Sequence, residues 1–158
     1  MSQLLGKELS KELFNHLKGT DIAARAGKAI VIVTTDEQGW AHPAMLSYHE
    51  VVAKDRSSVS LAIAKTSTTA KNLRRTGKIT LLVTDKGMNY YLKGTAREIE
   101  ESMAGVPFMS LFQVGLEQIL EDQEPDAVIT SGVTFSRPQK KEVSEIVERI
   151  FDGVRKSQ

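Results

Sequence analysis

The spacing of apolar residues divides the chain into stretches of two different periods. Leu5, Leu9, Leu13 and Leu17 recur every four positions with Phe14 beside them, and Lys and Glu fill many of the places between. This predicts an amphipathic helix over residues 3–18, stopped at Gly19. From Lys28 the pattern changes. Ile30-Val-Ile-Val33 is a β-branched run that reads as a strand, Asp36-Glu-Gln-Gly39 as a hairpin turn, and Trp40 to Tyr48 as the returning strand. Pro43 cannot donate to a ladder, so that second strand belongs at an edge or a bulge. Val59, Leu61 and Ile63 alternate with Ser60, Ala62 and Ala64, which gives one bulky face and one small one. Ile79 to Thr84 and Met88 to Glu100 predict two more strands, with a bend or close backbone approach at Gly94.

Helical spacing returns over 103–121 through Phe108, Leu111, Phe112, Gly115, Ile119 and Leu120. A last strand is predicted over 127–135. A final helix over 137–156 carries Val143, Ile146, Val147, Ile150, Phe151 and Val154, entered by a capping-box pattern at Ser136 and Gln139. Most strand connections are too short for a parallel crossover. The expected fold class is therefore α+β, an antiparallel barrel-like sheet of about six strands with flanking helices.

Composition narrows the function classes. A chain of 158 residues is most simply one domain, here 1–158 with its barrel core at 28–100. A net charge of +1 supplies no general attraction for nucleic acid or an anionic membrane. With no cysteine there is no disulfide, thiolate nucleophile or Cys-ligated metal, as suits a reducing cytoplasm. No apolar run approaches the roughly 18 residues of a membrane span, and the N-terminus lacks a signal peptide's apolar centre. A cytoplasmic location is expected, without membrane or nucleic-acid partners and without a metal.

The candidate chemistry lies in Leu61-Ala-Ile-Ala-Lys-Thr-Ser-Thr-Thr-Ala-Lys-Asn-Leu-Arg-Arg75, where a strand runs through hydroxyls and bases into a short helix stopped by Gly77. Free N–H groups and a positive dipole end make such a helix start an anion site. An ordinary connection capped by Ser67 or Thr68 is the weightier reading of these residues alone, since capping hydroxyls are common. No Ser/His/Asp set or carboxylate pair stands out. His42 and His49 are candidates for proton transfer, with a structural role the weightier reading of each. His16, among polar neighbours, is given no role.

Four segments carry a family resemblance: Gly39-Trp-Ala-His-Pro-Ala-Met45, Leu61-Ala-Ile-Ala64, Ser67-Thr-Thr-Ala-Lys-Asn-Leu73 and Tyr91-Leu-Lys-Gly-Thr-Ala-Arg97. In this order and spacing they resemble the pyridoxamine 5'-phosphate oxidase-like family of FMN-binding split barrels. The resemblance implies a split β-barrel of mainly antiparallel strands, a homodimer, and FMN in the cleft between subunits. It puts His42, Pro43, Ala44 and Met45 against the flavin ring, Ala62 and Ile63 on its ribityl side, and Ser67, Thr68 and Thr69 on its phosphate. Asn89 stands where the oxidases carry a flavin-contacting glutamine. The family's phosphate-binding lysine is replaced by Thr69, so Lys65, Lys71, Arg74 or Arg75 would supply the charge. The oxidases' C-terminal tryptophan and Arg-Leu-x-Pro run are absent, so authentic pyridoxamine 5'-phosphate oxidase activity is not expected. A flavin-dependent oxidoreductase of unknown small-molecule substrate is the leading reading. The alternatives are a non-catalytic flavin, haem or deazaflavin binder, with His42 or His49 as the haem ligand, or a cofactor-free interaction module.

Overall fold

The computed structural model describes residues 1–156. In chain order its elements are β1 (Ser2–Gly6), α1 (Lys11–Leu17), β2 (Ala29–Thr35), β3 (Ala41–Ser47), β4 (Val51–Ala53) and β5 (Ser58–Ala64). Then follow α2 (Thr68–Thr76), β6 (Lys78–Asp85), β7 (Met88–Glu100), β8 (Met109–Asp122) and α3 (Lys141–Lys156), with a 3-10 turn at Ile22–Arg25. The eight strands form one sheet in the order β3-β2-β6-β7-β8-β5-β4, with β1 added on β8. Every pairing is antiparallel. Strands β3 and β4 are joined only through Tyr48, His49 and Glu50, yet lie at opposite ends of this order. The sheet must therefore curl until its ends meet, which makes a barrel with an unzipped seam. The α+β split barrel is the observed fold.

Alternation along β5 explains how the barrel is filled. Val59, Leu61 and Ile63 point inward to Ile30, Ile32, Leu81, Leu92 and Phe112. Ala62 points outward and is covered by Ile150, Phe151 and Val154 of α3, together with Val52 and Leu111. The small face of β5 is thus the bed of a helix, which fits the close packing that small residues allow. Leu9, Leu13 and Leu17 of the α1 segment and Ala70 and Leu73 of α2 join the interior core. Gly94 has the close approach its position suggested: a Cβ there would lie 2.3 Å from the carbonyl oxygen of Gly115, and the register with β8 shifts at this point. Pro43 sits on β3, the end strand of the sheet, as its missing N–H requires.

Several element boundaries differ from the pattern-based reading. Residues 103–121 are not a helix; 109–122 form the long strand β8. Phe112, Val114 and Leu116 face the interior while Met109 and Leu111 face α3, so a strand buried on both faces mimics helical spacing. The predicted helix 3–18 is confined to Lys11–Leu17, because Ser10 caps it and Ser2–Gly6 pair with β8 instead. Residues 127–135 form no strand, only an extended segment tied by single bonds such as Ala29 N–H to Val133 O and Phe135 N–H to Gly27 O. The last helix begins at Lys141 rather than 137, beyond the supposed capping box at Ser136. No helix among the described residues is long and apolar enough to cross a membrane.

Candidate functional site

The hydroxyl loop does form a capped helix. Ser67 is extended (φ −72°, ψ 158°), and its Oγ accepts from the N–H of Ala70 at 3.1 Å. At the other end Gly77 adopts φ +71° and donates to the Leu73 carbonyl at 2.8 Å, the left-handed stop that glycine permits. The N–H groups of Thr68 and Thr69 have no acceptor among the described residues. Both readings of the loop therefore describe the same atoms: Ser67 caps the helix and leaves two donors pointing off its end.

Packing decides which side chains share that end. Thr69, Ala70, Asn72 and Leu73 are buried, whereas Thr68, Lys71, Arg74 and Arg75 are exposed. Asn72 Nδ2 donates to Thr34 Oγ1 at 3.0 Å, and Arg75 donates to the carbonyl of Thr35. These bonds fix α2 against the end of β2. Thr34 stands directly opposite His42 in the β2–β3 ladder, so His42 lies on the same face of the sheet as the helix.

The four bases are committed unequally. Lys65 Nζ donates to Ser102 Oγ at 2.9 Å. Arg74 grips Glu98 with two bonds of 2.8 and 2.9 Å, and reaches the Lys65 carbonyl at 2.9 Å and Ser110 Oγ at 3.2 Å. That pairing holds the Glu98 carboxyl below its usual range and raises Arg74. Arg75 is turned toward β2. The Lys71 ammonium makes no hydrogen bond or ion pair with any described residue, and only the backbone N–H of Lys71 is engaged, on the Ser67 carbonyl at 3.1 Å. Lys71 lies three positions after Thr68, on the same exposed face.

The other predicted residues are dispersed. His42 and Ala44 face inward and are half-buried, while Pro43 and Met45 are exposed on the outer face. Ala62 and Ile63 are 0% and 2% exposed. The first lies under α3 and the second lies inside the barrel, so neither side chain is open to a ligand in this chain. Thr69 is 4% exposed, so its side chain cannot replace the family lysine at an open site. Asn89 bonds Thr84, Tyr91 and the Asp122 carbonyl on the outer face. It stands seven residues from Ala96, where β7 meets the end of α2, about 23 Å at a strand's rise. His49 lies beyond the far end of β3, edge-on to Phe151 at 5.3 Å, with its pKa lowered mainly by burial. His42 and His49 are thus not brought together.

The sequence reading missed a polar cluster at the other end of the barrel. His16 Nε2 and Tyr48 OH are 2.9 Å apart, and Asp85 Oδ2 is 3.8 Å from the same nitrogen. Lys28 binds both Asp85 oxygens, at 2.9 and 3.1 Å. Burial, helped by the charge of Arg25, holds His16 down to about 4, and burial raises the Tyr48 phenol. A side chain 32 positions away gives no local signal.

The chain is similar to the "Uncharacterized protein YclD" of Bacillus subtilis (strain 168), with 30% identity over 135 residues, 85% of this chain and 88% of that one. The chain belongs to the family of that protein. No protein-family model matches it. Among solved structures, a candidate pyridoxamine 5'-phosphate oxidase from Lactobacillus delbrueckii has a TM-score of 0.57 at 16% identity, covering 75% of this chain and 98% of its own. The HupZ protein of Group A Streptococcus gives 0.54 at 17%, covering 75% and 98%. An FMN-binding protein from Syntrophomonas wolfei gives 0.53 at 16%, covering 72% and 88%. The fold is that of the pyridoxamine 5'-phosphate oxidase-like split barrels.

Proposed function

We propose that this family member is a dimeric FMN-binding protein, acting as a flavin-dependent oxidoreductase on a small molecule of unknown identity. The observation that carries the reading is the exposed start of α2. Two amide N–H groups without acceptors among the described residues begin the helix there, with the exposed Thr68 and Lys71 side chains on its first turn. This donor set suits a phosphate dianion, with dipole and point charge acting together. His42 lies on the same side of edge strand β3, where Pro43 withholds a ladder donor. The fold's occurrence in an FMN-binding protein supports the same reading. FMN when bound supplies the redox chemistry, and the chain binds it and fixes its orientation.

A second copy would sit on the outer face of the sheet. Leu4, Leu120, Tyr91, Leu82, Val31 and Met45 are directly opposite one another across successive strands, a row about 24 Å long at normal strand spacing. Leu4 and Met45 at its ends are 61% and 63% exposed. An apolar row of this extent on a surface favours association. Because Asn89 lies on the same outer face, the partner's copy, rather than the chain's own, would bring that amide to a shared cleft.

The test is titration of purified protein with FMN and with riboflavin, alongside its visible spectrum and sedimentation. A dimer that prefers FMN by at least tenfold is the expected result. A monomer, equal affinities, or a haem band in place of a flavin spectrum would overturn the proposal. Turnover of pyridoxamine 5'-phosphate is expected to stay far below the ordinary range, on the order of 1 per second.

A further inference from the structure

Arg74 is the most heavily bonded base near the loop, and its bonds run to protein rather than toward the open end of α2. Its side chain turns back along the helix, as helical side chains do. It reaches the Lys65 carbonyl from nine residues away in sequence. The fork is closed on the Glu98 carboxylate of β7, and one nitrogen also meets Ser110 Oγ of β8. Ser110 is 0% exposed and donates in turn to the Glu101 carbonyl at 2.7 Å. One guanidinium thus ties together α2, β7, β8, the segment after β7 and the backbone at the start of the phosphate loop.

We propose that Arg74 is a positioning residue of the anion loop, held by Glu98 and acting through the Lys65 carbonyl, and that it is not the phosphate's counter-charge. This rests on the phosphate reading of α2. Glu98 neutralises the guanidinium locally, so a phosphate gains little attraction from the pair. What the pair supplies is geometry. With the Lys65 carbonyl fixed, the peptides between Ala64 and Ser67 have one orientation, and Ser67 enters the helix with its Oγ on Ala70. The N–H groups of Thr68 and Thr69 then point outward before any ligand arrives. A planar fork that donates to several acceptors at once is a role that lysine cannot fill, since its ammonium is a single point charge.

Arg74→Lys, which keeps the charge, and Glu98→Gln, which keeps the shape, separate this from direct charge donation. A positioning role predicts that both variants lower the ratio of FMN to riboflavin affinity about tenfold. A counter-charge role predicts that Arg74→Lys keeps the ratio and that Glu98→Gln raises it by freeing the guanidinium. Either of those results overturns the proposal. Amide hydrogen exchange on the unliganded variants gives a readout independent of FMN. Ala70 and Lys71 should exchange about tenfold faster while the amides of β2 and β6 keep their rates. A uniform acceleration would show a merely structural contact, and unchanged loop amides would show none; both overturn it. If the wild-type protein binds the two flavins equally, the FMN reading falls and the exchange result alone decides the role of Arg74.

Discussion

The side-chain amide of Asn72 donates a 3.0 Å hydrogen bond to the hydroxyl of Thr34, and both residues are 2% exposed. This bond joins the helix whose start would take an anion to the strand that pairs with His42. It orders the site from beneath. Truncating Asn72 to Ala leaves a buried hydroxyl without its donor, which costs about 1–3 kcal/mol. Asn72→Ala should lose that much in denaturant unfolding, and Thr34→Val should cost little more on top of it. Fully additive losses in the double variant would show that the two side chains do not act as a pair.

The His16 cluster predicts a pH dependence. Its folded pKa is about 4 against an ordinary 6.5, so between those values the unfolded chain binds more protons. Stability from this group is complete above pH 6.5 and is lost as pH falls through 4. The side chain is 8% exposed, so the shift is worth on the order of 3 kcal/mol. Glu50, raised mainly by burial, works in the opposite sense over part of this range. The quantity to measure is therefore the difference between wild type and His16→Gln. Their unfolding free energies should converge as the pH is lowered from 6.5 to 4, and a constant difference would show that His16 does not titrate there.

Much of the barrel was legible because β2, β3, β5, β6 and β7 are strands with short connections or strong β-branched content, and local pattern suffices for these. Strand β8 was not legible. Its two buried faces come from two different cores, one of them built by a helix far along the chain, and periodicity cannot separate that from a buried helix. The site divides in the same way. Ser67 as cap and Gly77 as stop are local chemistry and were readable. That Thr69 faces inward, that Ala62 lies under α3, and that Glu98 occupies Arg74 all depend on neighbours distant in sequence.

Thr69→Lys tests the inward orientation of that position. Restoring the family's residue type would tighten phosphate binding at an open position. Here it places an ammonium where a 4% exposed threonine packs, and burying an unpaired charge is among the costlier substitutions. A loss of about 2–3 kcal/mol is expected, lowering Tm by roughly 4–12 °C for a chain of this size. Unchanged Tm together with tighter FMN binding would show that the side chain reaches the open end after all.

Gly94→Ala tests the close approach between β7 and β8. The added methyl would meet the Gly115 carbonyl at 2.3 Å and Val114 Cγ1 at 2.7 Å. The first obstacle is paired backbone rather than a flexible side-chain tip, so the strands themselves must part. Overpacking commonly costs about 1–3 kcal/mol, and this variant should lie at the upper end or fail to accumulate as folded protein. Thermal unfolding of Gly115→Ala is the contrast, since nothing lies within 4 Å of a Cβ at that position. Equal losses in both variants would remove the packing argument.

The last expectation concerns Lys71 and Ser67 at the start of α2. The Lys71 side chain is exposed and its ammonium has no partner among the described residues, so Lys71→Gln should leave thermal stability unchanged. If it is the counter-charge, the variant loses a charged hydrogen bond worth about 1.5–3 kcal/mol to a bound phosphate. FMN affinity should then fall by about tenfold to a hundredfold with riboflavin affinity nearly constant. Salt should erase much of the difference, because an exposed charge is screened. Ser67→Ala behaves differently. It removes the acceptor of the Ala70 N–H and should cost about 1 kcal/mol of stability as a lost cap, along with a fall in the FMN to riboflavin ratio. The two variants thus separate charge from cap in one fluorescence titration. If Lys71→Gln keeps the wild-type ratio at low salt, the exposed lysine is only a solvated side chain. If Ser67→Ala keeps it as well, the start of α2 caps a helix and holds nothing more.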